Sequence, residues 1–153
     1  MIRFLRSAGI LACLSLFLSA PAAQSAVVLL CKAKPQGNKL LLPKTVEIFF
    51  DAEKKLILVN DEVVLAAKDE KPVAGTGYKR DYQTYVFEWT VEKPMRSSTR
   101  PLPTLKYEAR YSTNTSKFNL TATLPADFRT WNRFGSSPTH QAFGKCEVFG
   151  WKD

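Results

Sequence analysis

The chain is poor in the residues that nucleophilic and metal-assisted catalysis rely on. It carries a single histidine, His140, and three cysteines among 153 residues. It contains no Cys-x-x-Cys, no His-Glu-x-x-His, no Gly-x-Ser-x-Gly and no glycine-rich loop able to cradle a phosphate. A nucleophile needs a base within reach, and His140 follows a Ser/Pro-rich stretch that reads as a solvated loop. Nothing singles out a glycosidase-type carboxylate pair among the 14 acidic residues. These gaps predict a protein that is not an enzyme and takes no metal or cofactor. There is also no internal repeat and no low-complexity tract, and the longest apolar stretch falls short of the roughly 18 residues of a membrane-spanning helix.

That apolar stretch comes first. Arg3 and Arg6 precede a run from Gly9 to Leu18, and small residues follow from Ser19 to Ala26. This is the layout of a cleaved secretory signal, with Pro21 interrupting the run and cleavage after Ala22 or Ala26 both suited to small residues. Residues 1–26 are therefore expected to be a signal peptide and residues 27–153 a single domain without a transmembrane segment. The compact basic start suggests a bacterial chain that is periplasmic or secreted.

Removal of the leader leaves two cysteines, Cys31 and Cys146, at opposite ends of the domain. In an exported chain an even pair is read first as a disulfide. Two cysteines and one histidine are too few for an ordinary four-ligand zinc site. The expected bond would join the first strand to the last, with Cα atoms roughly 4.4–6.8 Å apart.

The 22 basic residues less Arg3 and Arg6 still outnumber the 14 acidic ones, leaving about +6. A basic exported protein suits anionic envelope partners such as lipopolysaccharide phosphates, phospholipid head groups or a wall polymer. Nucleic acid offers the same charge, but an exported protein seldom meets it, and none is expected as a partner.

Strand patterns dominate. Val27 to Cys31 is an apolar run, and Lys34 to Asn38 has turn chemistry. Thr45 to Phe50 and Leu56 to Val59 read as a hairpin joined through Asp51–Lys55. Val63 to Ala67 reads as a further strand, in competition with a helix capped by Asp61. Gly75 and Gly77 read as a break. Tyr85, Phe87, Trp89 and Val91 then alternate with polar or smaller residues, as do Tyr107, Ala109 and Tyr111, and Phe118, Leu120, Ala122 and Leu124. Gly144 to Gly150 closes as a last strand. About eight or nine short antiparallel strands with Gly/Pro-rich turns predict an all-β fold, a small barrel or a β-sandwich, and a bond between the terminal strands favours the barrel.

Two stretches carry arginine beside loop or aromatic residues. Arg96 and Arg100 lie in a proline-rich loop, and Arg129 and Arg133 flank Trp131. Arginine can hold an anion while a neighbouring ring stacks on a sugar or base, so these five residues are the expected ligand contacts. Phe128, Trp131 and Phe134 recur every third position after Asp127, a helix cap, and are expected to plug one end of the barrel with the arginines left outside. Cys31 and Gly75-Thr-Gly-Tyr78 within an all-β pattern resemble the small periplasmic inhibitors of C-type lysozyme, which implies an alternative role as inhibitor of a wall hydrolase. Tyr107 to Leu124 with Gly144-Lys-Cys-Glu147 resembles a class of exported bacterial β-domains and implies no activity. Neither resemblance assigns a functional residue.

Overall fold

The computed structural model describes residues 26–36, 41–67, 70–92, 104–125 and 139–150. The alternating stretches form β1 (Val27–Gln36), β2 (Thr45–Asp51), β3 (Leu56–Asp61), β4 (Val73–Lys79), β5 (Thr84–Val91), β6 (Leu105–Ser112), β7 (Lys117–Thr123) and β8 (Thr139–Phe149). A short helix, α1 (Glu62–Ala67), follows β3. Each strand pairs antiparallel with its neighbours in sequence, and β1 also pairs with β8, so the sheet closes as an eight-stranded barrel.

Strict alternation decides what fills the barrel. The inward side chains include Leu29, Ile48, Val59, Phe87, Trp89, Tyr107, Phe118, Leu120 and Ala142, and all are buried in one core. At an interior this narrow, side chains rather than solvent occupy the lumen. The outer face of β5–β8 carries Glu88, Lys106, Glu108, Arg110, Lys117 and Lys145 at registered positions. On these strands the outer face is charged, unlike the apolar outside of a transmembrane barrel. Across β8, β1, β2 and β3 a second outer row, Phe149–Val28–Phe49–Leu58, is apolar, with Val28, Phe49 and Leu58 half-buried. Among the described residues no helix is long and apolar enough to cross a membrane.

Four local expectations are corrected. Lys34 to Gln36 do not turn but continue β1, paired with Phe143 to Gln141 of β8. Val63 to Ala67 is helical, not extended. The Asp61 carboxylate accepts the Val63 and Val64 N–H groups at 2.7 and 2.8 Å, and this cap outweighs the β-branched run. Gly75 and Gly77 do not break the chain but lie inside β4, facing inward opposite Trp89 and Phe87. A Cβ on Gly77 would stand 2.6 Å from Ile57 Cδ1 and 2.9 Å from Phe87 Cδ1, and one on Gly75 would stand 3.0 Å from the Glu88 carbonyl oxygen and 3.3 Å from Ile57 Cγ2, so the missing side chains let β4 lie close against its neighbours on β3 and β5. His140 is not in a solvated loop. β8 begins at Thr139, earlier than expected, and directs His140 inward with only 7% exposure.

The two ends of the barrel differ. At one, Val63 and Val64 of α1 and the segment Leu41–Leu42 are buried against the core. The Tyr107 hydroxyl donates to the Leu41 carbonyl at 2.7 Å and holds that segment down, while its ring stacks on Trp89 at 5.2 Å. At the other end lie the turns after β2, β4 and β6.

Cys31 and Cys146 form the expected disulfide between the first and last strands. They are directly opposite in the β1–β8 ladder. Because the Cys146 N–H donates away from β1, to the Ser116 carbonyl at 3.0 Å, this is a non-hydrogen-bonded pair, the closer of the two kinds. The Cα atoms stand 3.9 Å apart, below the expected range.

Candidate functional site

The disulfide register fixes what lies outside the same seam. With Cys31 opposite Cys146, Lys32 stands opposite Lys145, and Lys34 opposite Phe143. On the far side of β8, Lys145 is also opposite Lys117 of β7. Three lysines therefore occupy one row across β1, β8 and β7, with neighbouring Cβ atoms about 5 Å apart. The next row runs Lys34–Phe143–Asn119–Arg110–Val86–Tyr78 across six strands.

The first row and the second as far as Arg110 line an open groove of about 800 Å³, with Phe143 standing 40% exposed among Lys32, Lys34, Arg110, Lys117 and Lys145. Its floor is the β8 backbone at Gly144. There β1 approaches so closely that a Cβ would overlap the Lys32 carbonyl oxygen. Among the described residues two carboxylates pair with the groove's cations. Glu108 holds the Arg110 guanidinium at 2.6 Å, and Glu147 lies 3.8 Å from Lys32 with both side chains exposed. Among the described residues Lys34, Lys117 and Lys145 have no carboxylate within ion-pair distance. Asn119 Oδ1, between Phe143 and Arg110, is buried without a hydrogen-bond partner.

Like charges placed directly opposite each other in a sheet are destabilising. The row Lys32–Lys145–Lys117 contributes nothing to folding that a polar uncharged residue would not, and it concentrates positive potential where an anion can reach it. A groove with an exposed ring at its centre and cations around it can take a ligand with several negative groups and an apolar or ring portion.

The other chemistry-bearing groups are arranged differently. His140 faces inward opposite Ala122, its Nε2 is buried without a hydrogen-bond partner, and burial lowers its pKa. Asp61 is committed to capping α1. Among the described residues no three His, Cys, Asp or Glu side chains gather at metal-binding distance. The expected ligand contacts Arg96, Arg100, Arg129, Trp131 and Arg133 lie outside the described residues, as do the leader and the expected plug Phe128–Trp131–Phe134.

The groove's lysines were missed by sequence reasoning because each is an ordinary polar member of an alternating strand. The signal that could have found them was the disulfide itself. Two cysteines directly opposite each other oblige every following pair to sum to the same register, which puts Lys32 beside Lys145.

The molecule belongs, by fold and surface, to the side-chain-filled eight-stranded antiparallel barrels, closed by a disulfide seam and carrying a basic outer groove. The chain matches no family model, no curated protein and no solved structure.

Proposed function

We propose that the protein is an exported, non-catalytic β-domain that binds an anionic or amphipathic component of the cell envelope in the groove around Phe143. The observation that carries this reading is the registered row Lys32–Lys145–Lys117, a juxtaposition that opposes folding and is retained beside an exposed ring. The shared chemistry of the candidate partners is phosphate or another multiple anion beside an apolar or sugar portion. Lipopolysaccharide, phospholipid head groups and phosphodiester wall polymers all present it. A cationic wall hydrolase of the lysozyme type would meet this face with like charge, which favours the anionic ligand over the inhibitor role.

The test is salt-dependent retention. The protein is passed over immobilised lipopolysaccharide and over heparin, and floated with vesicles of anionic or zwitterionic phospholipid. Retention should fall steeply with salt as counterions are displaced, and Lys117→Gln with Lys145→Gln should abolish most of it. Comparison of the three supports tells lipid from glycan. Elution at low salt, unchanged in the double variant, would discard the proposal.

A further inference from the structure

The end of the barrel opposite α1 carries a second recess, of about 400 Å³, that faces inward where the groove faces outward. Lys79, Tyr82, Tyr85, Tyr111, Thr113 and Ser116 line it, and it shares only Tyr111 with the groove. Three tyrosines, Tyr82, Tyr85 and Tyr111, with Val148 make up its apolar wall. Behind that wall Tyr85 stacks on Phe87 with centroids 6.4 Å apart, and Phe50 sets its ring against both at 6.3 Å. The Lys79 ammonium lies 5.7 Å from the Tyr85 ring centroid, a cation–π position that leaves the charge at the mouth. The hydroxyl-bearing Tyr111, Thr113 and Ser116 supply neutral hydrogen-bonding groups, and no carboxylate is among the described residues lining the recess.

The rim is rigidly built. The turn after β4 and the turn after β6 are tied together across the mouth. Thr113 N–H donates to the Gln83 carbonyl at 2.8 Å, and the Asn114 amide donates to Gln83 Oε1 at 3.0 Å. Within the first turn Asp81 accepts the Gln83 N–H at 2.9 Å, and Arg80 N–H donates to the Thr84 carbonyl at 2.9 Å. A rim held this way keeps its shape without a ligand, which is what a pre-formed small-molecule site requires. At the α1 end, among the described residues, Leu41, Leu42, Val63 and Val64 are buried against the core.

From this geometry we infer that the mouth is a binding site for a small aromatic monoanion, a flat ring bearing one carboxylate. The ring would lie against the tyrosines and the carboxylate would meet Lys79. The volume falls at the lower end of the ordinary range for ligand pockets, about 300–1,000 Å³, so the occupant is a mono- or bicyclic molecule and not a polymer. The site is independent of the outer groove, and neither proposal requires the other.

The test uses 1-naphthoate and its neutral isostere 1-naphthamide, with binding followed by calorimetry and by the chemical shifts of Lys79 and Tyr85. The expected result is binding of 1-naphthoate with shifts at both residues, with 1-naphthamide about tenfold weaker, the factor an ion contact worth about 1.4 kcal/mol confers. Lys79→Gln, an exposed position whose loss leaves the barrel folded, should erase the difference between the two ligands. Lys145→Gln should leave it intact. Three results would overturn the inference: no binding up to about 1 mM, equal affinity for the two ligands in the parent protein, or a response to Lys145→Gln in place of Lys79→Gln.

Discussion

Asp61 is a buried carboxylate under electrostatic stress. Burial raises its pKa to about 6, against the lowering effect of the two N–H groups it caps. Its second oxygen and the Trp89 Nε1 are each buried without a hydrogen-bond partner, although the nearby indole N–H still favours the charged form. Because the folded value lies above the unfolded 3.8, the native state binds the proton more tightly. The stability this confers is fully present below pH 3.8 and is lost as pH rises through 6. A shift of this size is on the order of 3 kcal/mol. Asp61→Asn keeps an oxygen to accept the α1 N–H groups and removes the titration. Urea unfolding of both proteins from pH 4 to pH 7 should show the parent losing stability relative to the variant as pH rises. His140 titrates in the opposite sense, its pKa lowered by burial, but it is common to both proteins and cancels in the difference. Parallel profiles for the two would show that Asp61 is not the group responsible. Lys145 is under a different stress, flanked by Lys32 on one side and Lys117 on the other. Lys145→Gln should therefore stabilise the fold at low salt by up to about 1 kcal/mol, a gain that fades as salt screens the row. The same change should weaken retention on anionic supports. Stability and binding moving in opposite directions is the signature of a charge kept for a ligand.

Elements depend on where a side chain is missing as much as on where one is present. Gly144 and Gly77 both face inward, but a Cβ on each would meet different things. At Gly77 the nearest obstacle is the Ile57 Cδ1 methyl, a side-chain end that can turn aside, followed by the buried Phe87 ring and the Val86 carbonyl oxygen; at Gly144 the obstacle is the β1 backbone at Lys32 and Ala33, which a Cβ would overlap. Gly77→Ala should cost about 1–3 kcal/mol, as overpacking does, and Gly144→Ala more, since relief requires the β1–β8 ladder to part. Thermal unfolding of the two variants orders them, and a milder effect at Gly144 would contradict the close approach. The same contrast explains what the sequence could convey. β5, β6 and β7 were legible because Phe87, Trp89, Tyr107, Phe118 and Leu120 alternate with polar residues, a pattern that one buried face imposes directly. β4 was not, because two of its inward positions are Gly75 and Gly77, which answer to the close approach of β3 and β5, a tertiary relation invisible along the chain. α1 was misjudged because six residues show too little of a helical period, and only the Asp61 cap marks its start. β8 was read from Gly144 onward, since Thr139, His140 and Gln141 look like loop residues until Ala122 and Ala33 are known to lie beside the strand. The groove was legible only as net charge. Its cations come from four strands, and pairing register, not composition, gathers them.

At the scale of the whole molecule, one seam carries two opposed features. The β1–β8 ladder closes the barrel, with Cys31–Cys146 bonded on its inner face and Lys32–Lys145 opposed on its outer face. A single register forces both: the cysteines cannot face each other without the lysines doing so. The covalent bond spans 115 residues and, by loop entropy, stabilises the closed barrel by up to roughly 4–5 kcal/mol. Denatured, unreduced protein should contain no free thiol at either position, and replacement of both cysteines by serine should lower stability towards that figure. The more specific consequence concerns local opening. In the intact protein the bond denies the lysine repulsion any outlet, so amide-exchange protection along β1 and β8 should be insensitive to salt. In the double serine variant the seam can part without global unfolding, and repulsion is strongest where screening is weakest, with a Debye length of about 30 Å at 0.01 M salt against about 10 Å at 0.1 M. Protection along β1 and β8 should then fall at low salt while β5–β6, remote from the seam, keeps its own. Either added salt or Lys145→Gln should restore it. Seam protection in the serine variant that is the same at every ionic strength would mean the lysine row exerts no force on closure, and the opposition between staple and charge would have to be given up.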